Sequence, residues 1–200
     1  MTYNRPKNES ETHFLLKEIS KYILWGWGYN KLGTEVGGMW DYDISKFFYN
    51  PSKNSYSRKN VIDAVGIKKI SKFIKYNSNT YHYDVKGIEA KASLSDFKNG
   101  FCAAPAMTYI ITTTNTIPIN LVPDKIGLIE VNLDILELKK YSQKIPDMKG
   151  VELVRRAKKK IDSRFKDEDA YRKWCAESLE RIAYRCGSEL LFWRNYIDLK

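Results

Sequence analysis

The stretch that decides the fold is residues 81–93, which read YHYDVKGIEAKAS. Successive side chains of a β-strand point to opposite faces, so a strand here places Glu89 and Lys91 on one face and small apolar residues on the other. The apolar run VIDAVGI opens residues 61–76. These residues predict the first arm of an antiparallel hairpin whose second arm is residues 80–92.

The hairpin brings a second carboxylate, Asp63, beside Glu89 at one end of a sheet. Both acids lie in apolar segments, where an ionised carboxylate is costly unless something compensates it. Two carboxylates and the ammonium of Lys91 are the minimal equipment for metal-assisted hydrolysis, because Mg2+ is usually held by one or two carboxylates plus phosphate oxygens. The competing interpretation is a solvated salt bridge between Glu89 and Lys91 on an edge strand.

The order of these residues resembles the PD-(D/E)XK nuclease superfamily, and in particular the MmcB-like DNA-repair nucleases. In that family a Glu-x-Lys strand runs into a Ser-x-x-Asp-Phe helix start. The similarity rests on the following segments: Asp63, Glu89-Ala90-Lys91, Ser93-Leu94-Ser95-Asp96-Phe97, Tyr109-Ile110-Ile111-Thr112-Thr113, Leu121-Val122-Pro123 and Gly127-Leu128-Ile129. The resemblance covers residues 11–134.

The resemblance implies a role for each residue of the motif. Asp63 and Glu89 would be ligands of Mg2+, with Mn2+ able to substitute. The carbonyl of Ala90 would be a further ligand, and Lys91 would be the catalytic lysine that orients or helps to deprotonate the attacking water.

Some features depart from the family pattern or compete with it. No proline precedes Asp63. Glu18 on the first helix and Glu35 in a short strand are candidates for an additional acid at the metal site, although a solvated surface position is the commoner role for Glu18. Asp41 and Asp43 would share a strand face and form a rival pair, which ranks lower because no lysine follows at the required spacing.

The charge balance favours a polyanionic partner. The 200 residues carry 34 Lys and Arg against 24 Asp and Glu, a formal net charge of +10. Lys and Arg placed against phosphates release counterions and bind without reading sequence, so we expect DNA as the partner. The candidate nucleic-acid contacts lie in a polar loop, in the first hairpin arm and in a predicted basic helix, for which a solvated face is the alternative: Lys53, Arg58, Lys59, Lys68, Lys69, Arg155, Arg156, Lys158 and Lys159.

Cysteine usage and hydropathy bear on the compartment. The three cysteines form no Cys-x-x-Cys pair, which is typical of reduced thiols in a cytoplasmic protein. No uninterrupted apolar span has transmembrane length, so we expect no membrane association. With only two histidines, a histidine-rich zinc site is not expected. Double-strand cutting with one active site per chain would favour a homodimer.

The coarse architecture is α/β. Periodicity predicts these elements: a helix at 11–25, the hairpin, a helix beginning near Asp96 and capped by Ser93 or Ser95, strands at 107–113 and 126–132, and helices at 151–161 and from 167 onward. The expected fold is restriction-endonuclease-like, a mixed central sheet flanked by helices. A nuclease-like core at residues 11–134 would carry a helical C-terminal extension at residues 135–200, packed on that core.

The function that follows is a Mg2+-dependent endonuclease that cleaves DNA in repair, restriction or mobile-element processing. Two alternatives stay open. One is a nucleic-acid-binding module that keeps the fold without cutting. The other is an interaction protein whose basic surface meets an acidic partner.

Overall fold

The computed structural model describes residues 9–37, 48–49, 61–71, 81–104, 107–137, 148–158 and 168–198, with the backbone alone at 37, 48–49, 70–71, 81–82, 168 and 188–198. The elements in chain order are α1 (Glu11–Gly26), β1 (Lys31–Gly37), β2 (Phe48–Tyr49), β3 (Val61–Ser71), β4 (Tyr81–Ala90), α2 (Leu94–Lys98), β5 (Phe101–Cys102), β6 (Thr108–Thr113), β7 (Gly127–Val131), β8 (Val151–Arg155) and α3 (Glu168–Asp198).

One mixed sheet organises these elements. Its six strands follow the order β1-β3-β4-β6-β7-β8, while β2 pairs with β5 separately. The pairs β1–β3, β3–β4 and β7–β8 are antiparallel, and β4–β6 and β6–β7 are parallel. The predicted hairpin is confirmed, since β3 and β4 pair from Ala64 opposite Ile88 to Ser71 opposite Tyr81. The mixed α/β sheet flanked by helices is confirmed as well.

Helix α1 covers one face of the sheet. Ser10 caps the helix, because its side-chain oxygen accepts a hydrogen bond from the backbone N–H of His13 at 3.2 Å. The buried stripe of α1 includes Leu16 and packs in one cluster with Ala64 of β3 and Ile88 of β4. The helix therefore lies over the hairpin and brings its first turn to the end of β4.

Helix α3 covers the opposite face. Val65 and Val85 alternate with the positions that face α1, so their side chains point the other way. They share a buried cluster with Trp174 and Ile182 of α3. The backbone of β1 comes close to α3 at Gly33, where an added Cβ would lie 3.1 Å from Cγ1 of Ile182. Strands β1, β3 and β4 thus lie between the two long helices, while Ile110 of β6 and Leu128 of β7 pack against Phe97 of α2.

The segment at residues 151–155 corrects one sequence prediction, because it is strand β8 and not a helix. It pairs antiparallel with β7, and Val151 lies opposite Val131. The apolar spacing of three residues from Val151 to Val154 suggested a helix, but burial alternates along the segment with the period of two of a strand. Pairing with the backbone groups of β7 decides the conformation, so the part of the chain beyond residue 134 contributes a strand as well as α3.

The remaining predicted elements agree with the structure. Helix α1 and strands β6 and β7 lie where periodicity placed them. Helix α2 is capped by Ser93, whose hydroxyl oxygen accepts from the N–H of Asp96 at 3.0 Å. In the part of the chain that the structure describes, no helix has the length and apolarity needed to cross a membrane.

Candidate active site

Asp63 and Glu89 are cross-strand neighbours at one end of the hairpin. Ala64 pairs with Ile88 in this antiparallel pair, so Asp63, which precedes Ala64, lies opposite Glu89, which follows Ile88. The N–H of Asp63 donates to Oε1 of Glu89 at 3.3 Å, and the N–H of Ala90 donates to Oδ2 of Asp63 at 2.9 Å. These reciprocal bonds tie each carboxylate to the backbone of the partner strand, so the structure brings the two acids together.

Glu89 is the buried member of the pair, with 4% of its surface exposed. Burial, followed by the charge of Asp63, raises the pKa of the Glu89 carboxyl well above its usual range. The charge of Lys91 and hydrogen bonds from the backbone at Asp63 and Cys102 act in the opposite direction. A carboxylate removed from water beside a second one is costly unless a proton or a cation compensates it. The position therefore suits a ligand of a cation.

Lys91 follows β4 directly and is also buried, with 7% exposed. Its ammonium donates to the carbonyl oxygen of Gly100 at 2.7 Å and lies 3.6 Å from Oδ1 of Asp96. Its carbonyl accepts from the hydroxyl of Thr112 at 2.8 Å. Lys91 thus joins β4, α2 and β6, while its charge still acts on Glu89.

His13 is a member of this site that sequence reasoning missed. Its Nε2 donates to the carbonyl oxygen of Ala90 at 3.0 Å and lies 3.4 Å from Oδ2 of Asp63. Its Nδ1 lies 2.7 Å from Oε1 of Glu9. A signal was present in the sequence, since Glu9 and His13 stand four residues apart at the start of an amphipathic helix.

The surroundings of His13 favour its charged form. A hydrogen bond with Asp63 is the largest cause that raises the pKa of His13, to about 9, and Glu9 adds to it, while burial acts in the opposite direction. An imidazolium beside Asp63 partly balances the negative charge of the two carboxylates.

A chain of ion pairs continues from Glu9 through buried Lys17 to the half-buried Glu35. The ammonium of Lys17 lies 2.6 Å from Glu9 and 2.7 Å from Glu35. Oε2 of Glu35 accepts from Arg185 of α3 at 2.8 Å. Glu35 has a φ of 49°, a conformation that is uncommon for any residue other than glycine. The predicted additional acid is therefore held by two cations, and it joins β1 to both long helices.

Glu18, the other candidate for an additional acid, lies away from these contacts. Its Oε1 is 2.7 Å from the ammonium of Lys21 one turn along α1, and both side chains are 26% exposed. This is the solvated helix pair that is the commoner role for a surface glutamate. The structure gives Glu18 no contact with Asp63 or Glu89 among its described bonds.

The donors present fit a hard divalent cation. Asp63, Glu89 and the Ala90 carbonyl offer oxygen atoms, which Mg2+ prefers, and Mg2+ needs few protein ligands because it keeps several waters. The observation that fits such an ion is the buried Glu89 beside a second carboxylate. No three His, Cys, Asp or Glu side chains form a metal-ligand group among the residues described. The Ala90 carbonyl is a ligand only by the family resemblance, and here it accepts a hydrogen bond from His13.

The predicted nucleic-acid contacts divide into three groups. Lys68, Arg156 and Lys158 lie on the sheet end opposite Asp63, with Lys69 next to Lys68 on the other face. Arg155 instead holds a loop together, donating to the carbonyl oxygens of Val122, Pro123 and Ile126. Lys53, Arg58, Lys59 and Lys159 lie outside the described residues, as does the rival pair Asp41 and Asp43.

Comparison of the chain with protein-family models, with curated proteins and with solved structures gave no match.

Proposed function

We propose that the chain is a metal-dependent deoxyribonuclease, an endonuclease that hydrolyses DNA phosphodiester bonds on a restriction-endonuclease-like fold of the PD-(D/E)XK type. The observation that carries the proposal is the pair of reciprocal hydrogen bonds that holds Asp63 and Glu89 together, with Lys91 two residues further along. The net charge of +10 also supports DNA as the substrate.

Each residue has a part in the proposed reaction. Asp63, Glu89 and the Ala90 carbonyl would hold Mg2+, or Mn2+ in its place. Such a cation neutralises charge that develops on the phosphate and lowers the pKa of a bound water. Lys91 would position that water for attack. To do so, its ammonium would have to release the hydrogen bond to the carbonyl oxygen of Gly100 and donate to the water.

A second candidate is a nucleic-acid-binding module on the same fold that does not cut. The contacts of Lys91 favour it, because the residue is 7% exposed and its ammonium, bonded to Gly100, has a sufficient structural role in joining β4 to the segment after α2. In this case the carboxylates would serve only to hold the hairpin end.

Cleavage of a supercoiled plasmid separates the two candidates. The chain, Asp63→Asn and Lys91→Gln are incubated with DNA in Mg2+, in Mn2+ and in chelator, beside the matched surface variants Asp134→Asn and Lys98→Gln. We expect both site variants to lose cleavage by a factor on the order of 10² or more, with the surface variants unchanged. DNA binding in chelator should persist in all five proteins.

The other outcomes are also informative. Equal nicking by all preparations would indicate a contaminating nuclease and would leave the chain without activity. DNA binding with a steep salt dependence, without cutting in either metal, would support the binding module and refute the nuclease.

A further inference from the structure

The strands gather basic residues at the end of the sheet opposite Asp63 and Glu89. Strands β3 and β8 end there, and β4, β6 and β7 begin there. We call this region the basic end, and it is formed by Lys31, Lys68, Lys86, Lys125, Arg156 and Lys158. The backbone N–H of Lys158 donates to the carbonyl oxygen of Lys125 at 3.1 Å, which joins the two outer segments.

Aromatic rings hold two of these ammonium groups in place. The Nζ of Lys86 lies 4.3 Å from the ring centre of Trp27 and 5.1 Å from that of Tyr29. The Nζ of Lys68 lies 4.6 Å from the Tyr29 ring. A cation over a ring face is attracted by the ring quadrupole. Both lysines are therefore fixed at the surface above the hydrophobic core.

Fewer acids than cations are exposed among the described side chains of this end. Asp84 is buried, accepting from the Tyr29 hydroxyl at 2.7 Å, with Lys68 at 3.9 Å. Asp124 is exposed, and Asp169 is exposed and lies 3.2 Å from Arg172. The exposed members of the basic end are Lys31, Lys125, Arg156 and Lys158. The described part of this surface therefore carries more positive than negative charge, which is complementary to a polyanion.

We propose that the basic end binds the phosphate backbone of duplex DNA, as a contact separate from Asp63 and Glu89; the inference rests on the proposed function for the identity of the polyanion. Asp63 and Lys68 lie five positions apart on β3, about 17 Å at roughly 3.3 Å per residue. The basic end is therefore too far from the carboxylate pair to belong to the same contact.

The rings argue for duplex phosphates over unpaired bases. Proteins that hold single strands stack successive bases on accessible aromatic rings. Tyr29 is 0% exposed and Tyr109 is 4% exposed, and the Trp27 ring faces Lys86. The rings of Tyr29 and Tyr109 are thus covered, and the partly exposed ring of Trp27 lies under Lys86, which suits contacts to the backbone.

Binding of a labelled 30-base-pair duplex, measured by fluorescence anisotropy in chelator over a range of salt, tests the proposal. The double variant Arg156→Gln/Lys158→Gln removes two exposed cations from the basic end. The matched variant Lys98→Gln/Lys149→Gln removes two exposed lysines elsewhere. We expect the first to weaken binding roughly tenfold and to reduce the log–log salt slope by about 1.8, and the second to change affinity less than twofold.

Other arms of the experiment identify the ligand and guard against misfolding. Thermal unfolding should give the same midpoint for both double variants. The chain should bind phosphatidylserine vesicles and a 30-nucleotide single strand more weakly than the duplex.

Several results would overturn the proposal. These are equal losses in the two double variants, tighter binding of vesicles than of duplex, or a preference for the single strand. Because chelator removes any cleavage, an absence of nuclease activity would refute the proposed function and leave this binding result intact. Normal cleavage with unchanged duplex affinity in Arg156→Gln/Lys158→Gln would refute the present inference alone.

Discussion

The two ends of the β3–β4 hairpin accommodate charge in opposite ways. At the carboxylate end, defined by Asp63 and Glu89, buried and half-buried acids are paired with cations, and buried Lys17 is shared between two glutamates. At the basic end, cations lie over rings or extend into solvent. Buried charges need partners because water cannot solvate them, whereas exposed ones remain available to a ligand. Substitutions at the carboxylate end should therefore change mainly the free energy of unfolding, and substitutions at the basic end should change mainly the affinity for a ligand.

The largest expected effect on stability comes from Lys17→Met. Lys17 is 6% exposed and pairs with Glu9 and Glu35, so its loss leaves two acids without their shared cation. We expect the free energy of unfolding to fall by about 3 kcal/mol, as for other broken buried ion pairs. Urea unfolding followed by circular dichroism measures it.

The control for this substitution is Lys149→Met, which removes a lysine from an exposed ion pair with Glu137. Exposed pairs contribute little, so its cost should stay below about 1 kcal/mol. Equal costs at Lys17 and Lys149 would contradict the idea that burial distinguishes the carboxylate end.

A smaller effect is expected from Tyr29→Phe at the basic end. The Tyr29 hydroxyl donates to buried Asp84 at 2.7 Å, and the substitution removes that donor while keeping the ring under Lys68. We expect a loss of about 2 kcal/mol by urea unfolding, because a buried acceptor loses its donor. Tyr184→Phe, at a side chain that is 79% exposed, should change stability by less than about 0.5 kcal/mol. A Tyr29→Phe cost as small as that would show that Asp84 does not depend on Tyr29.

The smallest effect is expected from thiol labelling, which changes no residue. It compares how readily the two ends of the hairpin unfold locally and expose their cysteines to a reagent. Cys186 is exposed, whereas Cys102 and Cys175 are buried. Burial raises the pKa of the Cys175 thiol to about 12 and also raises that of Cys102, so neither is a thiolate near neutral pH. We expect one fast equivalent of iodoacetamide incorporation at pH 8, with mass spectrometry assigning it to Cys186.

The two buried thiols report on different ends. Cys102 lies beside Glu89, and Cys175 lies beside Tyr171, near the start of β4. Both should become reactive over the same range of urea, since one sheet carries both ends. Labelling of Cys102 well before Cys175 would show that the carboxylate end opens by itself.

Local periodicity was sufficient for the hairpin and for the meeting of Asp63 with Glu89. Strand alternation is a property of neighbouring residues, and the two arms that pair are close together in the sequence. The same local reasoning failed at Val151–Arg155, where an apolar spacing of three competed with alternation and pairing to β7 decided the outcome.

Contacts between distant parts of the chain were beyond such reasoning. His13 reaches the carbonyl of Ala90 across 77 positions, and Glu35 reaches Arg185 across 150. No periodicity relates residues at these separations, because their contact depends on how each helix crosses the sheet. The geometric neighbours of the acids were therefore found only in the structure, while the acids themselves were evident in the sequence.

Strand β4 carries Lys86 toward α1 and Glu89 toward the other face, only three residues apart. Inserting or deleting one residue between them would turn every side chain on one side of the change to the opposite face of the sheet. Either Lys86 or Glu89 would then leave its present face, so the change would disrupt one of the two ends. The chain length between Lys86 and Glu89 is thus as constrained as the identities of the two residues.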